Sequence, residues 1–594
     1  MRMGFRWLST LFAVLVVSLV WSGRASADCK IAELAELPVT MHGHRPLIPV
    51  KINGADAKLL VDTGSFANAL TPGNAAKYKV HEGPLPFGFS IRGVGGQTMD
   101  VSLGTADDFT ISGATFHHVQ FLVTEKGLEG EAGLLGGQFL RAADVEYDLA
   151  NGVIRLFKPQ GCGDANLAYW VGAQQAYSVI GMDYPDPNNP SILATATING
   201  QRIRVIFDTG AASSMLMLNA AARAGVKPGD PGVLAAGYSE GITQRSYLRS
   251  WLAPFSSFKI GDEEIKNFKL FIGDMQLDRD MLLGADFFLA HRVFVSNSQH
   301  KIYFTYNGGP VFDMKMSPQK PPIAQEAAGA PGLSPPAETM DADAYSRHAA
   351  ALASRRDFDG AIADLTKAIA LAPNEPRYLY ERAMAHRASL QPRMALDDLN
   401  QALTLKPDYI PALLGRAGAY EFRKEPLQAK ADLDVADKAA ANDPDARLGI
   451  AAGYIRANLE PEAIDELDRW IDAHPRDDAR AQALNDRCWL RALRNEALDK
   501  ALEDCNTALR LLPGDPGMLD SRGLVHLRLG QFDKAITDYN GSLKLRPKLA
   551  WSLYGRGLAE LGKGMKVEGD ADIAAAKASS TTIADEAAKR GLTP

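Results

Sequence analysis

The sequence lacks the features that mark several specialised classes of protein. It has only 4 cysteines in 594 residues, with no Cys-x-x-Cys pair or histidine cluster, which argues against a zinc site. Its 64 Lys and Arg do not outnumber its 71 Asp and Glu, so nothing indicates nucleic acid as a partner. With 46% apolar residues and a formal net charge of -7, the composition is that of a soluble globular protein. The length exceeds one hydrophobic core and predicts three or more domains.

A single apolar segment stands out, and it lies at the N-terminus. Two arginines precede an apolar run over residues 7–21, and Ala25-Ser26-Ala27 offers the small-x-small pattern of a signal peptidase site. We therefore predict a signal peptide over residues 1–27, removed on export to the periplasm or on secretion. An uncleaved anchor is the alternative, although the run is shorter than the roughly 20 residues that span a bilayer. No membrane span is expected after cleavage.

The few cysteines are placed as two local pairs. Cys29 and Cys162 bracket a first β unit, and Cys488 and Cys505 bracket one helical hairpin. In an oxidising compartment this placement favours two disulfides within domains. Four buried free thiols remain the alternative.

A motif of strand length occurs twice. Leu59-Leu60-Val61-Asp62-Thr63-Gly64-Ser65 returns about 145 residues later as Val205-Ile206-Phe207-Asp208-Thr209-Gly210-Ala211. In each copy an apolar run leads into Asp-Thr-Gly, which places a carboxylate where a buried strand ends and a turn begins. About seventy residues after each copy comes an apolar pair followed by glycine, Leu134-Leu135-Gly136 and Leu282-Leu283-Gly284.

Two carboxylates brought together by such a repeat have a definite chemistry. Like charges a few Å apart raise one pKa, so that the pair shares a proton. The ionised partner can then take a proton from water while the protonated partner polarises a peptide carbonyl. This hydrolyses an amide without a metal or another cofactor.

The order and spacing of these motifs resemble those of the retropepsin-like aspartic peptidases over about residues 30 to 307. The resemblance implies that Asp62 and Asp208 are the catalytic pair, that Thr63 and Thr209 cross-bond beneath them, and that Gly64 and Gly210 let the backbone approach the carboxylates. It also implies glycine-rich flaps over the cleft, at Gly93, Val94, Gly95 and Gly96 in the first copy and at Gly237 and Tyr238 in the second. Two departures are visible: the second flap lacks Gly-Val-Gly-Gly, and Gln138 stands where the second copy has Asp286.

The C-terminal part has a different period. A segment rich in Pro, Gly, Ala and Gln, residues 308–340, predicts a linker that fixes little geometry. After it, small residues and prolines recur about every 34 residues and resemble tetratricopeptide repeats, in about seven copies. Such repeats usually bind a peptide or another protein, and a scaffolding or dimerising role is the alternative.

The predicted fold is thus two all-β retropepsin-like lobes followed by an all-α tetratricopeptide solenoid. The predicted boundaries are 28–165 for lobe 1, 166–307 for lobe 2 and 341–594 for the repeats. The predicted function is an exported aspartic endopeptidase with a protein or peptide substrate, whose repeats recruit a protein partner. The alternatives are a non-proteolytic peptide-binding protein and an adaptor that acts through the repeats.

Overall fold

The computed structural model describes two β lobes followed by a helical region. The described residues are 29–85, 91–92, 98–99, 101–124, 132–172, 176–183, 191–240, 247–274, 279–312, 340–477 and 479–594. The predicted signal peptide and most of the predicted linker lie outside these ranges.

Lobe 1 is built from short strands separated by tight turns. Asn53 and Gly54 make one of these turns, with φ values of 48° and 82° that asparagine and glycine adopt more readily than other residues. The strands run in the order β2-β3-β4-β11-β5-β10-β9-β6, and β3 also pairs with β9, which closes the sheet on itself. The elements are β1 (Lys30–Pro38), β2 (Thr40–His42), β3 (Arg45–Ile52), β4 (Ala55–Asp62), β5 (Ala69–Leu70), α1 (Pro72–Lys77), β6 (His81–Gly83), β7 (Ile91–Arg92), β8 (Thr98–Met99), β9 (Val101–Ile111), β10 (Ala114–Thr124), β11 (Gly133–Gly136), α2 (Gly137–Leu140), β12 (Asp144–Asp148) and β13 (Val153–Gln160).

Lobe 2 repeats this plan. Its order is β15-β16-β21-β17-β20-β19-β18, again closed by a pairing of the first strand, β15, with β19. The elements are β14 (Ser178–Gly181), β15 (Ile192–Ile198), β16 (Gln201–Phe207), β17 (Met215–Met217), α3 (Leu218–Arg223), β18 (Leu234–Glu240), β19 (Tyr247–Ile260), β20 (Glu263–Gly273), β21 (Met281–Leu283), α4 (Ala285–Ala290), β22 (His291–Ser296) and β23 (Lys301–Tyr306). The internal repeat seen in the sequence is therefore a repeat of topology.

A six-stranded sheet joins the two lobes. Its order is β1-β13-β12-β22-β23-β14, so that β12 of lobe 1 pairs with β22 of lobe 2. Glu146, which is fully buried in β12, accepts hydrogen bonds from Arg155 of lobe 1 at 2.8 Å and from Arg292 of lobe 2 at 2.9 Å. The Tyr169 hydroxyl donates to the same carboxylate at 2.5 Å. Because removing one member would leave a buried charge unpaired, this cluster ties the lobes to one another.

The helical region is a solenoid of antiparallel pairs. Over residues 340–477 and 479–594 it contains seven such pairs and a terminal helix: α5 (Ala342–Ser354), α6 (Phe358–Leu371), α7 (Pro376–Ala388), α8 (Pro392–Leu405), α9 (Ile410–Phe422), α10 (Pro426–Ala439), α11 (Arg447–Arg456), α12 (Glu460–Ala473), α13 (Arg480–Arg494), α14 (Leu498–Leu511), α15 (Pro516–Arg528), α16 (Phe532–Leu545), α17 (Ala550–Gly562), α18 (Lys566–Ser579) and α19 (Ile583–Lys589). None of the described helices combines the length and apolar character needed to cross a bilayer.

Small residues and ion pairs hold each helical pair together. Ala383, Ala395 and Ala402 are at most 3% exposed where α7 and α8 cross, which allows the helix backbones to approach closely. Five of the described pairs also carry a two-pronged arginine–aspartate contact at the corresponding place in the repeat: Arg382–Asp398, Arg416–Asp432, Arg487–Asp504, Arg522–Asp538 and Arg556–Asp572. The regular spacing of these contacts follows from the period of the sequence.

Both predicted cysteine pairs are confirmed. Cys29 and Cys162 join the start of lobe 1 to the segment after β13, across 133 residues of sequence. Cys488 and Cys505 join α13 to α14 across 17 residues.

One expectation about the linker is wrong. The repeats were expected to be tethered with little fixed geometry, yet α5 packs on lobe 1 and Ala351 belongs to the same hydrophobic core as the β strands. The physical reason is that α5 presents small side chains, at Ala350 and Ala351, to an apolar surface of the lobe. Composition of the linker alone could not reveal this contact.

Candidate active site

Two buried strands deliver the two aspartates. β4 ends at Asp62, and β16 ends at Phe207, immediately before Asp208. Each strand pairs in parallel with the apolar segment that follows about seventy residues later, β11 beside β4 and β21 beside β16. The backbone N–H of Asp208 donates to Leu283 O at 2.8 Å. The recurrence of both segments in the sequence thus reflects their contact in the fold.

The two glycines of the motifs lie against the opposite carboxyl groups. A Cβ atom placed on Gly64 would lie 2.4 Å from Asp208 Cγ, and one placed on Gly210 would lie 2.4 Å from Asp62 Cγ. Any other residue would displace the acid of the other lobe. The motif therefore needs glycine because of this close approach rather than because of an unusual backbone angle.

The two threonines cross between the lobes below the carboxyl groups. Thr63 Oγ1 donates to Phe207 O at 2.7 Å and accepts from the Thr209 N–H at 3.0 Å. Thr209 Oγ1 donates to Val61 O at 2.6 Å and accepts from the Thr63 N–H at 3.2 Å. Both side chains are at most 1% exposed. Since each hydroxyl binds the other lobe's backbone, the distance between the two aspartates is fixed from beneath.

The environment of the carboxyl groups favours a shared proton. Asp62 Oδ1 accepts from the Gly64 and Ser65 N–H groups, both at 2.9 Å, and Asp208 Oδ1 accepts from the corresponding groups of lobe 2. Burial, with the neighbouring Asp208 carboxylate, raises the pKa of Asp62 well above its usual value. Burial also raises the pKa of Asp208, and the two carboxyl groups lie close enough to influence one another. The pair can therefore hold one proton between two acids.

A further pair of supporting residues was missed by the sequence analysis. Asn68 Oδ1 accepts from the Gly136 N–H at 3.0 Å, and Ser214 Oγ accepts from the Gly284 N–H at 2.9 Å. Each lies six residues after its aspartate, but an asparagine in one copy and a serine in the other form no motif that the sequence analysis could recognise. They bind the turn that follows the aspartate to the later glycine.

The lobes differ at the second residue after the later glycine, which is Gln138 in lobe 1 and Asp286 in lobe 2. Asp286 is 1% exposed and accepts from the Ser214 N–H and hydroxyl, the latter at 2.6 Å, and from the Phe287 N–H. Gln138 is exposed. Burial raises the pKa of Asp286 to about 6.

Only part of the predicted flaps lies within the described residues. Gly93, Val94, Gly95 and Gly96 lie outside the described residues, while β7 and β8 on either side of them pair antiparallel. Gly237 and Tyr238 lie in β18, which pairs with β19. In the described ranges, no group of three or more His, Cys, Asp or Glu is arranged to hold a metal ion.

Comparison with known families bears on this geometry. Residues 48–139 and 194–287 each match the family model described as aspartyl protease, and each segment contains one Asp-Thr-Gly motif. Residues 517–549 match a tetratricopeptide repeat model. The chain carries two aspartyl protease segments followed by tetratricopeptide repeats. No curated protein matches it in a sequence search.

Solved structures similar to the chain are repeat proteins. A tetratricopeptide repeat protein from Parabacteroides merdae is 17% identical, with 42% of this chain and 98% of that chain covered and a TM-score of 0.34. YrrB, described as a repeat protein with an unusual peptide-binding site, is 18% identical, with 32% and 97% covered and a TM-score of 0.28. PilW, described as a type IV pilus biogenesis factor, is 18% identical, with 37% and 98% covered and a TM-score of 0.31.

Proposed function

We propose that the protein is an exported aspartic endopeptidase whose repeats recruit a protein partner or substrate. The observation that carries the catalytic part is the pair of carboxyl groups, one from each lobe, that each lie against the glycine of the opposite motif, above the crossed threonines. In this mechanism the ionised aspartate takes a proton from a water while the protonated aspartate donates to the carbonyl oxygen of the scissile peptide.

The proposal is tested by removing each acid in turn. Asp62→Asn and Asp208→Asn keep the shape of the side chain but not its proton chemistry, so each single variant should lose cleavage of a protein substrate by several orders of magnitude. Asp56→Asn is the matched control, because Asp56 lies on the same strand, β4, with an 87% exposed side chain. It should cleave at the wild-type rate.

Wild-type turnover in either active-site variant would reject the pairing of the two lobes within one chain. A site built from one motif in each of two chains would then be the better model. Circular dichroism and thermal unfolding of all three variants should match the wild type, which separates lost chemistry from lost fold.

Activity should also decline at high pH. Because the mechanism needs one protonated acid, cleavage requires a pH below the raised pKa of the pair. A rate of peptide cleavage that stays constant from acid to alkaline pH would argue against the shared proton.

A further inference from the structure

The solenoid touches lobe 1 at two separate places, and α5 makes the first contact. Ala350 and Ala351 pack on the core of the lobe. The Ser354 hydroxyl donates to Gly43 O, and His44 Nε2 lies 3.0 Å from Ser354 O. The backbones are close here, since a Cβ atom on Gly152 would lie 2.7 Å from Arg347 Cβ.

The second contact lies further along the solenoid, where Asp445 and the segment 474–477 meet α1 of lobe 1. A Cβ atom on Gly73 would lie 2.5 Å from Arg476 O and 3.0 Å from Asp477 Cα. Lys77 Nζ donates to Asp445 Oδ2 at 2.7 Å, and His474 Nε2 lies 2.8 Å from the other oxygen of Asp445. Backbone contact and charge pairing therefore coincide at the same short helix.

The helix α1 is connected to the candidate site by a short stretch of backbone. Ala75 of α1 is fully buried in the core of lobe 1. The strand β5 directly before it pairs with β11 and β10, and Asn68, the residue just before β5, binds the Gly136 N–H beside Asp62. Backbone and hydrogen bonds therefore connect α1 continuously with the turn that carries the acid of lobe 1.

We propose that lobe 1 is itself a binding partner of the repeats: the solenoid holds it at α5 and at α1, and thereby sets the position of the Asp62 turn. The consequence for cleavage rests on the proposed peptidase function, whereas the docking does not. A protein that binds the repeats and draws them away from α1 would change cleavage of short peptides that never touch the repeats.

The test uses the full chain with Gly73→Ala and Gly83→Ala. Gly73 has an ordinary backbone angle at the start of α1, where alanine is well tolerated, so the added methyl group acts chiefly on the contact with Arg476. Gly83 is the control, because an added Cβ there meets nothing within 4 Å. Hydrogen exchange in segments 72–80 and 443–477 should be at least about tenfold faster in Gly73→Ala and unchanged in Gly83→Ala.

A charge exchange tests the same contact independently. Lys77→Glu alone faces Asp445 and should speed exchange in α1 by only a few-fold, because a half-exposed ion pair contributes little to stability. The double variant Lys77→Glu with Asp445→Lys should restore part of the protection. Equal exchange in the wild type and in every variant would overturn the docking.

Cleavage of a short peptide then tests the coupling to the site. We expect kcat/KM to change several-fold in Gly73→Ala and not in Gly83→Ala. Faster exchange with unchanged cleavage would refute the coupling and leave the docking intact. If the wild type itself cleaves nothing, the proposed function fails, and the exchange rates still decide the docking.

Discussion

The two lobes share one plan for holding an aspartate, and they differ in what supports it. Lobe 1 has its outer supports at its surface, in the disulfide between its first and last segments, Cys29 to Cys162, and in the contact of the solenoid with α1. Lobe 2 is supported from within, by Asp286 and by an aromatic core in which Phe287 stacks on His291 at 4.0 Å. A symmetric pair of acids therefore does not need symmetric supports.

The two acids also differ in how far they are exposed to solvent. Asp62 is 4% exposed, while Asp208 is only partly buried. Asp62 is also the acid whose pKa is raised by the charge of its partner as well as by burial. Because the pKa values of both acids are raised and the two groups titrate together, the shared proton belongs to the pair rather than to either acid alone.

The largest stability effect should come from removing the outer support of lobe 1. The Cys29→Ala, Cys162→Ala double variant opens a loop of 133 residues, which corresponds to about 5 kcal/mol in the chain-entropy model. The Cys488→Ala, Cys505→Ala variant opens only 17 residues and should lose about 3 kcal/mol. Hydrogen exchange in β13 and in α13 measures each loss locally.

Mass mapping without reduction is the control for this experiment, because it shows whether both pairs form in exported protein. Four thiols open to alkylation, or exchange in β13 that is unchanged by the first double variant, would contradict the outer support of lobe 1.

The second-largest effect on stability should come from removing Asp286, the inner support of lobe 2. Asp286→Ala leaves the Ser214 N–H and hydroxyl and the Phe287 N–H without their acceptor in a fully buried place. We expect a loss of about 3 kcal/mol at pH 7, since each buried unsatisfied group costs about 1 to 3 kcal/mol. Gln138→Ala is the matched variant in lobe 1 and should cost less than about 0.5 kcal/mol, because the side chain is exposed. Denaturant unfolding compares them, and equal losses would remove the distinction between the lobes.

The stability lost in Asp286→Ala should also depend on pH. Burial raises the pKa of Asp286 to about 6 in the folded protein, above the value of about 3.9 for an unfolded chain. The fold therefore favours the protonated form, and this stability is present below about pH 4 and lost as the pH rises to about 6. The deficit of Asp286→Ala should be about 2 kcal/mol larger at pH 4 than at pH 7. A deficit that grows with pH would contradict the assignment.

The smallest effect should come from the residue that follows Asp-Thr-Gly in each motif. Ser65 follows the first glycine, and Ala211 follows the second. The Ser65 hydroxyl donates to Ala67 O at 2.9 Å, while its N–H binds Asp62 as the Ala211 N–H binds Asp208. Ser65→Ala should therefore cost less than about 1 kcal/mol and change peptide cleavage by less than about twofold. A tenfold loss would show that the hydroxyl has a role that lobe 2 lacks.

Much of the site could be predicted from the sequence because short segments of the chain require particular residue types. A strand that ends in Asp-Thr-Gly needs glycine where the opposite acid approaches, and the need is visible twice because the motif is repeated. The solenoid could also be predicted from the sequence, because each repeat must bury the same small residues against its neighbour. Both cysteine pairs could be predicted because each brackets one structural unit.

Other features depended on contacts between residues far apart in the chain. Asn68 and Ser214 carry no chemical signature, and their role follows only from the later glycines that the sheet brings beside them. Glu146 became a junction between the lobes because β12 pairs with β22, about 150 residues away in sequence.

The sequence by itself therefore determined the units of this protein: two lobes with one acid each, and a solenoid with a fixed period. The tertiary structure alone decided how the units meet, with α5 and the loop at Arg476 against lobe 1 rather than free on a linker. The physical reason is that periodicity and turn chemistry act between near neighbours. Docking depends on the matching of whole surfaces, and no short stretch of sequence records it.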